Sequence, residues 1–89
     1  MKLQQLRYFL EVYRCNLNIS EAAEILFTSQ PGISKQIKLL EDELGVQLFV
    51  RHGKRIVAVT PPGQAVLEIA ERIFRDVQSI RNIGTEFAE

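Results

Sequence analysis

Between Thr28 and Leu40 the chain carries hydroxyls, carboxamides and two lysines, and no acid. Ile33, Ile37, Leu40 and Leu44 recur at steps of four, three and four, so the stretch reads as one helix with a buried side. Pro31, Lys35, Lys38 and Asp42 fall roughly opposite, with Ser34 on a flank. Thr28 or Ser29 supplies the N-cap, Pro31 suits the first turn, and Gly45 closes the helix in a left-handed conformation. Small, polar and cationic groups at a helix N-terminus suit phosphates and base edges. An ordinary amphipathic helix with a solvated face has the same pattern. A second cationic run, Arg51, His52, Lys54 and Arg55, surrounds Gly53. Long cations on a narrow turn reach a phosphate or a minor groove; equally, they keep a strand edge from pairing.

Other chemistry is poorly supplied. With one His and one Cys, Cys/His metal clusters and an intramolecular disulfide are excluded by count. His52 falls on a loop tip, Cys15 is remote from it in sequence, and no glycine-rich phosphate loop is present, so an enzyme is not expected. Cys15 is expected to be a small apolar or partly exposed residue in a reducing cytoplasm. There is no signal peptide and no run of about 18 apolar residues, so neither export nor a membrane partner is expected.

The formal net charge of the 89 residues is zero, but it is unevenly placed. Residues 1–60 hold eight Lys+Arg and six Asp+Glu; residues 61–89 hold three and five. Basic charge gathered in two short clusters looks like a footprint rather than a basic tail.

The flanking elements must position these groups. Leu3, Leu6, Phe9, Leu10 and Tyr13 have helical spacing and predict a first helix over residues 3–14. Asn18-Ile-Ser-Glu21 reads as a capping box opening a short second helix to about Leu26, with Ile19, Ala23 and Leu26 facing the core. Ala22 and Ala23 either admit a neighbouring helix closely or simply favour helix. Phe27-Thr28-Ser29 leaves room only for a tight turn, and two helices so joined outline a helix-turn-helix. Val46–Val50 and Arg55–Val59 read as two strands around a turn over residues 51–54, a hairpin wing. Thr60 and Pro61 open a last helix that runs to about Asn82-Ile-Gly84, where it can close. Along it, Val66, Ile69, Ala70, Ile73, Val77 and Ile80 form one apolar stripe, flanked by Leu67 and Phe74. A helix of about 25 residues is ~38 Å long, more than a 60-residue domain covers. Its distal half therefore predicts a homodimer through this stripe. The expected fold is mainly α: a winged helix-turn-helix of three helices and a two-stranded wing over residues 1–60, then a linker and dimerisation helix over 61–89.

Taken together, Leu6-Arg-Tyr-Phe9, Ala22-Ala-Glu24, Ser29-Gln-Pro31, Ser34-Lys-Gln-Ile37, Leu40-Glu41, Leu44-Gly45, Leu48-Phe49-x-Arg51 and Thr60-Pro-x-Gly63 resemble the N-terminal region of LysR-type transcriptional regulators. The order is kept along essentially the whole chain. Met1–Tyr8, Asn16–Asn18 and Thr28–Gln36 narrow the resemblance to the branch that controls cysteine-biosynthesis and sulfur-assimilation genes. The resemblance implies a cytoplasmic, sequence-specific regulator that binds double-stranded DNA as a dimer, with a tetramer in the intact protein. It implies an effector domain beyond these residues, which would take an acetylserine-type effector, and no cofactor within them. It places base reading on Gln30, Ser34 and Lys35 beside Pro31, and phosphate contacts on Thr28, Ser29 and Lys38. Arg51 would turn toward the minor groove, and Lys54 and Arg55 would act as further wing cations. Gly32 and Lys35 depart from the residues more usual in the family. A winged-helix module for protein interaction, its wing cations idle, is the competing expectation.

Overall fold

The computed structural model describes residues 1–88. Glu89, the last residue of the expected 61–89 segment, lies outside the described residues. The elements run α1 (Leu3–Arg14), α2 (Ile19–Ile25), α3 (Gln30–Leu44), β1 (Phe49–His52), β2 (Arg55–Val59) and α4 (Pro61–Phe87).

α1 is the central element, packing on α2, α3 and α4. Its buried side is Gln5, Leu6, Phe9, Leu10 and Val12, rotated by about one residue from the expected stripe. Leu3 and Tyr13, expected inside, are 55% and 38% exposed. Gln5 is admitted because its amide is used: Oε1 accepts from the Lys2 N–H at 3.1 Å, and Nε2 donates to Gln36 Oε1 at 3.3 Å. α1 unwinds through Asn16 and Leu17, both at positive φ. Cys15 is buried there; burial, then the charges of Glu21 and Glu11, push its thiol above the usual cysteine range.

Asn18 caps α2 by accepting from the Glu21 N–H at 3.0 Å. The reciprocal arm of the expected capping box is not made: the Asn18 N–H donates to the Cys15 carbonyl at 3.1 Å instead. Ala22 and Ala23 are both buried, so the close-approach reading holds, and Ile19 and Leu26 pack partly against the same core. The turn into α3 reverses at Phe27 with φ 54, a left-handed conformation without glycine, and the Thr28 N–H closes onto the Ala23 carbonyl at 3.1 Å.

α3 buries Ile33, Ile37, Leu40 and Glu41. Leu44, expected on this face, is 39% exposed in the last turn. Gly45 ends the helix at φ 73, as expected. Val46–Leu48 is not strand; β1 begins at Phe49, whose ring meets Phe9 edge-on at 4.9 Å and ties the wing to α1. β1 and β2 are antiparallel, joined through Gly53 and Lys54, with Gly53 at φ 62. The expected turn at 51–54 is thus two residues shorter, and Arg51 and His52 are strand. Val50 pairs with Ala58 and Arg51 with Ile56, so Val57 forms a bulge that bends the wing.

Thr60 joins the wing to α4. Its Oγ1 accepts from the Gly63 N–H at 3.0 Å and donates to the Gln47 carbonyl at 2.6 Å. Gly63 lies so close that an added Cβ would sit 2.2 Å from the Leu48 carbonyl oxygen. α4 then runs on through Gly84, which a helix tolerates at a cost of ~1 kcal/mol, rather than closing at Asn82–Gly84. These two helical glycines predict opposite outcomes. Gly63→Ala should destabilise by about 1–3 kcal/mol because backbone must move. Gly84→Ala, with nothing within 4 Å of its Cβ, should stabilise by up to ~1 kcal/mol. Urea-denaturation midpoints of the two variants check this.

Candidate nucleic-acid interface

The first turns of α3 and the wing enclose one open cleft of about 580 Å³, lined by Ile19, Gln30, Pro31, Ser34, Arg51 and Lys54. Five of the ten expected DNA-binding residues are thereby brought together. Thr28, Ser29, Lys35, Lys38 and Arg55 lie outside the cleft lining. Ser29 is the N-cap of α3, its Oγ accepting from the Gly32 N–H at 3.0 Å. That leaves its hydroxyl hydrogen for an outside acceptor. An added Cβ at Gly32 would come to 3.1 Å from the side-chain oxygens of both Thr28 and Ser29. The glycine thus lets two hydroxyls crowd onto the start of the helix.

Two side chains of the cleft are held by hydrogen bonds. Gln30 Nε2 donates to Ser20 Oγ on α2 at 2.8 Å. Arg51 is held more firmly. Strand alternation puts it on the same face of β1 as Phe49, turned toward α3. Its Nη1 donates to both oxygens of Glu41, at 3.2 and 3.3 Å, and to Gln47 Oε1 at 3.4 Å. No contact engages Nη2 or Nε among the described residues, and the side chain is 30% exposed. Arg51 can therefore keep one nitrogen on the protein and offer the rest of its fork to an anion. Glu41, 2% exposed, also accepts from the N–H groups of Leu48 and Phe49 at 2.7 and 3.3 Å. This carboxylate sets where the wing leaves α3, a role the sequence reading did not assign. The signal was present: Glu41 follows Ile33 and Ile37 at steps of four, on the apolar stripe, where a charge demands a buried partner.

Lys38 forms an exposed pair with Asp42 at 3.3 Å. Lys35, Lys54 and Arg55 make no salt bridge among the described residues, which leaves unpaired positive charge on the first turns of α3 and at the wing tip. There is no group of three or more His, Cys, Asp or Glu side chains that could hold a metal among the described residues.

The α4 stripe divides in two. Leu67 and Ala70 are buried by the chain itself, and Val66, Ile73 and Val77 are half-buried. Ile69 and Ile80 remain 49% and 66% exposed, and Ile83 and Phe87 extend the apolar line. Met1, Leu6, Leu44, Val66, Ile69, Ala70 and Ile73 surround an apolar hollow of about 160 Å³ beside it. Phe74 turns instead to α1, where the Arg7 guanidinium lies 5.0 Å from its ring centre. No helix is long and apolar enough to cross a membrane among the described residues.

The chain is similar over 87 residues to the HTH-type transcriptional regulator CysB of Haemophilus influenzae, at 52% identity, covering 98% of this chain and 27% of that protein. It is 49% identical over 89 residues to the HTH-type transcriptional regulator SsuR of Burkholderia cenocepacia, covering all of this chain and 29% of that one. It thus spans little more than a quarter of the length of these relatives. Among solved structures, the BenM DNA-binding domain in complex with catB site 1 DNA superposes with a TM-score of 0.89 at 32% identity, covering 100% of this chain and 97% of that chain. A match over residues 3–64 to the bacterial regulatory helix-turn-helix protein, lysR family, spans α1 to the start of α4, and the chain belongs to that family.

Proposed function

We propose that this chain is the DNA-reading part of a transcription regulator of the CysB type, acting on sulfur-related genes in the cytoplasm. The single observation that carries the reading is the cleft in which Gln30, Pro31 and Ser34 of α3 face Arg51 and Lys54 of the wing. The start of α3 enters a major groove, where Gln30, Ser34 and Lys35 reach base edges. Thr28, Ser29 and Lys38 take phosphates, and Arg51, Lys54 and Arg55 grip the flanking backbone and minor groove. Residues 1–60 form the reading unit. Residues 61–89 carry α4, Pro61–Phe87, through which two copies pair by Val66, Ile69, Ile73, Val77 and Ile80, with Ala70 beneath them; the intact protein assembles further as a tetramer. Two reading helices so held address paired half-sites. The relatives are named as regulators, and no chemistry of bond-making is assigned to these residues.

Selection of bound sites from random duplex DNA tests this reading. Paired half-sites are expected. Replacing Gln30, Ser34 and Lys35 together by Ala should weaken the selected site by roughly 10²-fold or more. An absence of any selected sequence, or a footprint unchanged in the triple variant, would overturn it.

A further inference from the structure

We infer that Ser20, on α2, is a specificity-determining residue that orients the Gln30 carboxamide for one base. The inference rests on the DNA-reading role proposed for Gln30. A free glutamine at a helix start swings about three side-chain bonds and offers its oxygen or its nitrogen with little preference. Here Gln30 Nε2 donates to Ser20 Oγ at 2.8 Å, across ten residues of sequence and between two helices. Ser20 is in the first turn of α2, a helix set against α1 and α3 by the buried Ala22 and Ala23. Gln30 is the first residue of α3, whose start is fixed by the Ser29 cap. Both ends of the bond therefore sit on rigid elements.

What the bond leaves over decides the ligand. The amide nitrogen has two hydrogens and spends one on Ser20. One N–H and the Oε1 acceptor remain in the plane of the amide, and they lie side by side when Ser20 takes the hydrogen anti to Oε1. No other contact engages either among the described residues. One donor beside one acceptor is the complement of the adenine major-groove edge, N7 accepting and N6–H donating. Guanine presents two acceptors there and would leave Oε1 facing a lone pair. The serine hydroxyl, having accepted, still has its own hydrogen to give to a phosphate oxygen. Ser20 is thus a positioning residue: it acts on the base through Gln30.

The experiment compares base preference, position by position, for the unaltered chain, Ser20→Ala, Ser20→Thr and Gln30→Ala, using sites selected from random duplex DNA. Thermal unfolding of each variant is measured alongside. Gln30→Ala should flatten a preference for adenine at one position of each half-site. Ser20→Ala should lower discrimination at that same position by roughly two- to tenfold, the worth of one hydrogen bond, with little change at other positions or in Tm. Ser20→Thr keeps the hydroxyl and should restore the preference. Four outcomes would overturn the inference: Ser20→Ala weakening all sequences equally, as loss of a phosphate contact would; Ser20→Ala leaving the preference intact while Gln30→Ala flattens it; the Thr variant behaving as the Ala variant; or a Gln30→Ala profile with adenine still preferred. Absence of sequence preference in the unaltered chain would instead remove the DNA-reading role itself, and the inference with it.

Discussion

Replacing Glu41 by Ala should cost the fold about 3–5 kcal/mol, the usual penalty for removing one partner of a buried ion pair. The figure does not mean that the pair is worth that much against an apolar replacement; desolvating a carboxylate offsets most of the attraction. It measures what the truncation strands. Without the carboxylate, the N–H groups of Leu48 and Phe49 lose their acceptor, and Arg51 Nη1 loses both oxygens. A buried donor left unsatisfied costs ~1–3 kcal/mol. Arg51→Ala should cost less, because Arg51 is 30% exposed and the carboxylate keeps its two backbone donors. Glu41→Gln should fall between, since one acceptor oxygen survives. Urea denaturation of the three variants checks the order. A loss below ~1 kcal/mol for Glu41→Ala, within the range of ordinary surface changes, would show that the wing is set by other contacts. A functional consequence is also expected: with Arg51 unheld, the wing side of the cleft should loosen and the selected DNA footprint should shorten on that side.

Glu41 also shows where the sequence stopped being legible. Features fixed by short-range backbone chemistry could be read directly. The α3 cap, read as Thr28 or Ser29 and found at Ser29, Thr60 as the α4 cap, Gly45 as the left-handed stop and the hairpin around Gly53 each depend on a few neighbouring residues. Features that depend on what covers a face could not. Periodicity gave α1 a buried side, but Leu3 and Tyr13 are apolar residues at the rim of that side, and Gln5 and Val12 took the centre. Leu44 is in register with Ile37 and Leu40 yet borders the apolar hollow rather than the core. β1 starts at Phe49, where the chain leaves a carboxylate on another element: Glu41 accepts from both the Leu48 and the Phe49 N–H. The interface was legible in part for the same reason. The residue types at Gln30, Ser34 and Lys54 announced a polar, cationic surface, whereas the contacts that aim them, Ser20 behind Gln30 and Glu41 behind Arg51, span 10 residues each and have no local pattern.

The same pairings sharpen the expected salt dependence of the proposed complex. Ten wing and helix cations in a dimer would come from Lys35, Lys38, Arg51, Lys54 and Arg55 of each copy. Two of the five are already matched within the chain: Lys38 lies 3.3 Å from Asp42, and Arg51 lies 3.2 Å from Glu41. A phosphate that meets Lys38 also meets the charge of Asp42, so its counterion is released at little gain. Three cations per copy, Lys35, Lys54 and Arg55, act at full strength. Six in a dimer give a slope of log K against log salt of about −5, and affinity should fall roughly 10³-fold between 50 and 200 mM salt. Ten would give a slope near −9 and a fall of roughly 10⁵-fold, and a single bound copy a slope near −3. The slope therefore reports stoichiometry and pairing together, and two variants separate them. Lys54→Ala should remove about one unit of slope per copy while leaving base preference unchanged. Asp42→Asn should add about one per copy by releasing Lys38. A slope insensitive to Lys54→Ala would place the wing tip off the DNA. No change with Asp42→Asn would mean that Lys38 either already contacts phosphate unopposed or never reaches one. Raised affinity of Asp42→Asn at low salt, together with a steeper slope, is the result expected from an exposed ion pair that holds one reading-helix lysine in reserve.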